Sequence, residues 1–274
     1  KILFIPDALI YMLTGKAICE YTVASTSQML NPMTGDLDAE ILEALGIPRE
    51  KFGVMTQPGT VAGTLTEQVQ EATGLGAVPV IAVAGHDTGS AVAAVPAKDK
   101  EYAYLSCGTW SLLGIESETA IITEDSFREN FTNEGGIEGT TRFLKNICGL
   151  WLFEQSRKKF KDAPSSVGRL VALCEESSYE GLIFPDDPSF ANPPSMTAAI
   201  REYCSRTGQP APETPADYCR CIFRSLAFRY RQVVEILGGM CSFPIRKLHV
   251  IGGGSQNRYL MQYAANALNM PVIC

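Results

Sequence analysis

The chain has 274 residues, 46% hydrophobic and 19% charged, with 23 basic side chains against 30 acidic ones for a formal net charge of −7. At about 150 residues per domain this is one large domain or two ordinary ones, long enough to bury about 70–75% of its unfolded surface, which excludes bulk disorder and a small stapled scaffold. The negative balance works against any broad electrostatic hold on nucleic acid or anionic lipid, so phosphate, if bound, is bound locally.

The longest strongly apolar stretch, residues 77–84, is interrupted by Pro79 and falls far short of the roughly 18–20 residues a bilayer crossing needs. No membrane span is expected. The opening Lys1-Ile-Leu-Phe-Ile-Pro-Asp7 is not a basic, apolar, small-residue signal series, and the chain reads as an internal fragment. Nine cysteines with no Cys-x-x-Cys and two histidines argue against a zinc site or a full disulfide framework and favour a reducing cytoplasm.

In chain order, residues 6–15 read as a short helix closing at Thr14-Gly15, and 38–45 as another, started by Asp36 or Asp38 and stopped by Gly46. Thr66 to Thr73 reads as a helix ended by Gly74, Val80 to Val83 as a buried strand, and Thr88 to Val95 as a helix ended by Pro96. That alternation predicts an α/β fold. The polar run Pro96 to Glu101 is a candidate linker, which puts a boundary near residue 98 between domains 1–97 and 98–274. Beyond it, Ala103–Ser106 and Ser111–Ile115 are strand-like runs joined by a hairpin turn, and 141–160 reads as a long helix. The proline-punctuated stretch 185–215 reads as surface loop with one embedded helix near 196–206. Asp217 to Leu237 is amphipathic at helical spacing, Leu248–Ile251 is a strand, and Ser255 to Leu268 is a helix capped by Ser255.

Three places combine a strand, a tight turn and polar groups. In Val83-Ala-Gly-His-Asp-Thr-Gly-Ser90, Asp87 follows a strand at the mouth of a helix, where it either faces a ligand or caps the helix. An aspartic protease carries a similar Asp-Thr-Gly-Ser run but needs two such carboxylates, and here the run occurs once and leads into a helix. Ser106-Cys-Gly-Thr-Trp-Ser111 reads as a plain hairpin tip or as a nest of backbone N–H groups for an anion. Gly252-Gly-Gly-Ser-Gln-Asn257 leaves room for a nucleotide at a helix start but lacks the dinucleotide fingerprint.

The order of these motifs, with Ala84-Gly-His-Asp-Thr-Gly-Ser-Ala-Val92, Tyr104-Leu-Ser-Cys-Gly-Thr-Trp-Ser-Leu112, Phe131-Thr-Asn-Glu-Gly-Gly136, Phe143-Leu-Lys-Asn146 and His249-Val-Ile-Gly-Gly-Gly254, closely resembles the FGGY carbohydrate kinases on the actin-like ATPase (ribonuclease H-like) fold. The resemblance spans essentially the whole chain. It implies two lobes, both partial here, with residues 1–97 the end of the sugar-binding lobe and 98–274 a truncated nucleotide-binding lobe. It implies transfer of the γ-phosphate of ATP, with Mg²⁺, to the primary hydroxyl of L-rhamnulose, in rhamnose metabolism. A related ketose kinase acting on L-fuculose, or a non-catalytic nucleotide-binding module of the same fold, are the alternatives. By this matching, Asp87 is the catalytic base, His86, Asp87, Thr88 and Asn146 bind the sugar, and Thr109, Glu154 and Gly253 bind the nucleotide. No residue of the chain matches a metal ligand. Glu154 replaces the glutamine of the family pattern, which removes an amide donor. The family's Asp-x-Gly phosphate loop, which helps hold the metal, and its final segment have no counterpart here, so the chain by itself is expected to lack kinase activity. Sugar and ATP are the expected partners, with no nucleic acid and no membrane.

The remaining features have plainer readings. Arg157-Lys-Lys-Phe-Lys161 reads as a solvated helix end, His249 as a core residue, and Trp110 and Trp151 as packing residues. Cys204 and Cys221 flank the proline-rich stretch and read as a disulfide or, as expected in a cytoplasm, as free buried thiols.

Overall fold

The computed structural model describes residues 1–160, 164 and 166–274. The chain divides into two compact units, Lys1–Ala94 with Glu116–Leu144, and Val95–Ile115 with Lys145–Cys274. The segment 116–144 thus belongs to the first unit although it follows residue 98 in sequence.

In the first unit, the helix Ile5–Thr14 starts with a proline in its first turn and ends at Gly15 with φ 69°, whose N–H bonds back to the Tyr11 carbonyl. Of the two candidate caps for the helix Ala39–Ala44, Asp38 is the one used, accepting from the N–H groups of Glu40 and Ile41, while Asp36 pairs with Arg49 at 2.9 Å. The helix Glu67–Thr73 is capped by Thr66 and closed by Gly74 at φ 72°. Ile18–Glu20 runs parallel to Val54–Thr56, over a core formed by Cys19, Ala24, Leu37, Leu42 and Phe52. Thr132–Gly135 pairs antiparallel with the first half of the strand Thr141–Cys148.

Two expectations in this unit are corrected. The buried strand expected at Val80–Val83 is Pro79–Ile81, paired along one edge with Val61–Thr64, and Ile81 and Val83 are 43% and 62% exposed. Apolar composition set the strand type but not its burial, which depends on what covers its faces. The helix expected from Thr88 to Val95 is Asp87–Ala93 with His86 in the cap position, so Asp87 lies inside the first turn rather than capping it.

A buried carboxylate ties two distant stretches of this unit together. Glu20 accepts hydrogen bonds from the N–H groups of Thr22 (2.9 Å) and Val23 (3.0 Å), the Thr22 hydroxyl (2.7 Å) and the N–H of Gly85 (2.9 Å). Behind it, fully buried Asp7 accepts from the Glu20 N–H at 3.1 and 3.3 Å. Burial pushes the Asp7 carboxyl up to about 6 against the hydrogen bond from the Glu20 backbone, and the neighbouring Glu20 charge adds to the rise.

In the second unit, Tyr102–Cys107 and Trp110–Ser117 form an antiparallel hairpin in which Cys107 faces Ser111. Lys247–Ile251 lies parallel to Tyr102–Cys107, and Val272–Ile273 lies parallel beyond it. The helix Pro215–Met240 opens with a Thr214/Asp217 capping box and Pro215; its buried face includes Cys221, Leu226, Ala227, Val233 and Leu237, as the amphipathic spacing predicts. It packs against Arg258–Leu268, and the buried Tyr230 hydroxyl reaches Ser111 Oγ at 2.8 Å.

The run 141–160 is not one helix but the strand Thr141–Cys148 followed by the helix Trp151–Arg157. The break is enforced at Gly149, where a Cβ would lie 2.6 Å from the Trp110 carbonyl carbon and 2.8 Å from the Gly108 oxygen. Phe143, Leu144 and Ile147 are all fully buried, a strand covered on both faces whose apolar run mimics a helix. The 185–215 stretch does contain the helix Met196–Arg206, but Phe190, Ile200 and Cys204 are fully buried, so it is packed rather than surface loop. The late helix is Arg258–Leu268, capped by Asn257, whose Oδ1 accepts from the Leu260 N–H at 3.1 Å. Ser255 instead bonds the Gly252 carbonyl at 2.8 Å within the 3₁₀ turn Gly253–Gln256. Cys204 and Cys221 are free buried thiols, as are most of the nine cysteines, none of them in a disulfide. Among the described residues no helix is long and apolar enough to cross a membrane.

These features generate two predictions. The Asp7 proton is kept in the native state up to about pH 6 but lost from the unfolded chain near the ordinary 3.8; native stability therefore falls between those values as pH rises. Urea unfolding of Asp7→Asn should show it gaining about 3 kcal/mol relative to the parent between acid and neutral pH; a pH-independent difference would contradict the burial argument. A Cβ at Gly254 would clash with Cys107 Sγ and lie 2.9 Å from the Cys107 oxygen, whereas nothing lies within 4 Å of one at Gly253. Gly254→Ala should lose about 1–3 kcal/mol in the same assay, with Gly253→Ala near neutral; the reverse ranking would show that the turn is packed differently.

Candidate functional site

The first unit presents His86, Asp87 and Thr88 together at the start of the helix Asp87–Ala93. Their backbone is fixed from below: the Gly85 N–H bonds Glu20, and the His86 N–H bonds the Thr22 hydroxyl at 3.2 Å. The Ser90 hydroxyl closes the turn onto the Ala84 carbonyl at 2.6 Å. The Asp87 side chain is 96% exposed. Its Oδ1 accepts from the Thr88 N–H at 2.6 Å and the Thr88 hydroxyl at 3.3 Å, and His86 Nε2 lies 3.8 Å from the same oxygen. Among the described residues Oδ2 takes no hydrogen bond. One carboxylate oxygen is thus held and the other is open to a proton donor outside the protein.

Behind His86 stands a buried ion pair that sequence reasoning did not single out. Arg142 is 1% exposed and its Nη1 lies 3.0 Å from Glu134 Oε2; its Nε donates to the Gly135 carbonyl at 2.9 Å, and its Nη2 lies 3.3 Å from His86 Nδ1. The available signals were Glu134 within Phe131-Thr-Asn-Glu-Gly-Gly136 and a charged residue in an otherwise apolar run at 142–144.

In the second unit, Thr109 sits exposed at the hairpin tip. The anion-nest reading of that tip is corrected in part, because the Gly108 N–H is taken by the Trp110 carbonyl at 2.9 Å. The carbonyls of Gly108 and Thr109 in turn accept from the N–H groups of Leu150 (2.9 Å) and Trp151 (3.0 Å). Trp110 is 59% exposed, which corrects its packing role, whereas half-buried Trp151 donates to the Phe190 carbonyl at 3.3 Å. Thr109, Trp110, Trp151 and Phe190 line a cavity of about 370 Å³. Glu154 and Gly253 share a second one, of about 530 Å³, walled by Phe153, Val171 and Tyr259. Gly253 is exposed with free space at its Cβ position. Glu154 Oε2 accepts from Arg157 Nε at 2.7 Å, so its charge is paired within its own helix. Asn146 is exposed on the strand Thr141–Cys148 and lines neither cavity.

Lys158 and Lys159 are solvated at their helix end, and Lys161 lies outside the described residues. His249 is buried, edge-on to Tyr102 at 5.4 Å, and burial lowers its pKa. The described residues include no group of three or more His, Cys, Asp or Glu that could hold a metal ion.

Comparison with known proteins agrees with the motif layout. Residues 103–274 match the model for the C-terminal domain of the FGGY family of carbohydrate kinases, and residues 1–94 the model for its N-terminal domain. A rhamnulokinase of Bacteroides thetaiotaomicron is 57% identical over 274 residues, covering 100% of this chain and 56% of that protein. One from Pectobacterium atrosepticum is 46% identical, covering 99% of this chain and 54% of its own length. The chain spans about half the length of the curated relatives it matches. Among solved structures, gluconate kinase from Lactobacillus acidophilus superposes with a TM-score of 0.75 at 17% identity, over 98% of this chain and 54% of that one. Plasmodium falciparum glycerol kinase with ADP gives 0.73 at 16%, over 98% and 53%. The mixed α/β architecture is theirs, and the chain belongs to the FGGY family of carbohydrate kinases.

Proposed function

We propose that the protein containing this chain transfers the γ-phosphoryl group of ATP to the 1-hydroxyl of L-rhamnulose, giving L-rhamnulose 1-phosphate and ADP. The observation that carries the reading is the Asp87 carboxylate, exposed at 96% with Oδ1 engaged by Thr88 and Oδ2 open. A sugar hydroxyl is a poor nucleophile, and a carboxylate oxygen within hydrogen-bond reach orients and activates it. As the O1–P bond forms and the bond from the γ-phosphorus to the leaving ADP oxygen breaks, the O1 proton passes to Asp87 Oδ2. His86, Thr88 and Asn146 are the sugar's polar contacts. The two rhamnulokinases at 57% and 46% identity support the choice of ketose.

The nucleotide falls to the second unit. The cavity shared by Glu154 and Gly253 has apolar walls suited to an adenine ring, and Gly253 leaves open space where a side chain would stand. The exposed Thr109 hydroxyl is the contact for the phosphates. Because Arg157 engages Glu154, Glu154 meets the nucleotide as an acceptor only. Mg²⁺ bound with ATP would neutralise phosphate charge. In this reading residues 1–97 are a piece of the sugar-binding lobe and 98–274 of the nucleotide-binding lobe, with the segment 116–144 packed into the first unit. The unpaired cysteines agree with a cytoplasmic setting.

In the intact protein, Asp87→Asn should lower kcat about 10²–10⁴-fold with L-rhamnulose while the Kd for ATP stays unchanged, measured by coupled ADP release and calorimetry. Retained turnover would overturn the base assignment, and faster turnover of another ketose would move the substrate. Gly253→Ala should raise the Kd for ATP about tenfold, a loss of about 1.4 kcal/mol, with its unfolding midpoint unchanged; unaltered ATP binding would remove Gly253 from the site.

A further inference from the structure

Resting on the reading of His86 as a sugar contact beside Asp87, we propose that Arg142 and Glu134 are positioning residues that fix the His86 imidazole as its Nε2–H tautomer, which leaves that N–H as a donor for the sugar. A guanidinium has donors and no acceptor. Arg142 Nη2 stands 3.3 Å from His86 Nδ1, and that pairing requires a bare Nδ1 carrying its lone pair. The ring proton is thereby assigned to Nε2, the nitrogen 3.8 Å from Asp87 Oδ1.

The rival arrangement would place the proton on Nδ1 and direct it at Glu134 Oε2, 3.7 Å away. That is beyond hydrogen-bond distance, and the same oxygen already faces Arg142 Nη1 at 3.0 Å. The guanidinium has no freedom to vacate the position. It is 1% exposed and ion-paired to Glu134, tied to the Gly135 carbonyl and laid against the Asp87–Ala93 helix, where a Cβ on Gly89 would lie 3.5 Å from Nη2.

The tautomer matters because Nε2, 3.8 Å from Asp87 Oδ1 and so outside hydrogen-bond distance of it, then carries an N–H that a sugar hydroxyl can accept, where a bare Nε2 would offer only a lone pair. Glu134 acts through Arg142, and Arg142 through His86; neither touches the reacting atoms.

The test is a two-bond ¹H–¹⁵N correlation spectrum of the intact protein labelled with ¹⁵N-histidine, with the His86 signals assigned by their loss in His86→Gln. The expected result is a pyridine-type Nδ1 and a pyrrole-type Nε2; a pyrrole-type Nδ1, alone or on a doubly protonated ring, overturns the proposal. Replacing the ion pair by apolar residues, Arg142→Met with Glu134→Leu, should release the tautomer to a mixture, and an unchanged tautomer also overturns it. If that variant does not fold, the parent spectrum decides. In steady-state kinetics His86→Asn, whose amide cannot reach the Nε2 position, should lose about tenfold more kcat/KM for the sugar than His86→Gln, whose amide N–H stands near it; equal losses would contradict the donor role. The spectrum reads the ring whether or not the protein phosphorylates a sugar, so a failed kinase assignment and a failed tautomer assignment are told apart.

Discussion

The Glu20 carboxylate is the constraint on which the first unit's site depends. It gathers donors from Thr22, Val23 and Gly85, so one buried side chain caps a short helix and holds a backbone segment 65 residues further along. The approach is close enough that a Cβ on Gly85 would lie 2.9 Å from Glu20 Oε2 and 3.1 Å from Pro6 Cβ, which is why that position is glycine. With Gly85 and His86 pinned, the next residue is delivered to the surface at the head of a helix, where an exposed Asp87 meets solvent. A buried acid accepting several hydrogen bonds is costly to disturb, and here that rigidity sets where a surface carboxylate stands.

The second unit uses missing side chains in two distinct ways. At Gly149, Gly252 and Gly254 the backbone approaches the Cys107–Ser111 hairpin so closely that any Cβ would collide with it, and Gly252 also takes φ 87°. These glycines belong to the architecture. Gly253 differs, since the space where its Cβ would stand is empty and it borders a cavity shared with Glu154.

Local signals were well written in the sequence. Gly15 and Gly74 close their helices, Asp38 and Thr66 cap theirs, and the long amphipathic helix buries the face its spacing predicts. The failures share a cause, which is that tertiary cover is not encoded in a short window. Phe143, Leu144 and Ile147 form a strand buried on both faces, so alternation disappears and the run reads as a helix. Pro79–Ile81 has the composition of a core strand but is paired on one edge. The residues His86, Asp87 and Thr88 were legible from their motif, and Glu154 and Gly253 were legible as candidates though they stand 99 positions apart. The Glu134–Arg142 pair was not, because a buried ion pair is defined by two strands' register rather than by either residue's neighbours in sequence.

The central claim is that Asp87 Oδ2 receives the proton of the hydroxyl being phosphorylated. The measurement that reads it most directly is a crystal structure of the intact protein with L-rhamnulose and a non-hydrolysable ATP analogue. The account predicts the sugar O1 at about 2.6–3.2 Å from Asp87 Oδ2, with Oδ1 still held by Thr88. A sugar bound with another hydroxyl, or none, at that oxygen would contradict it.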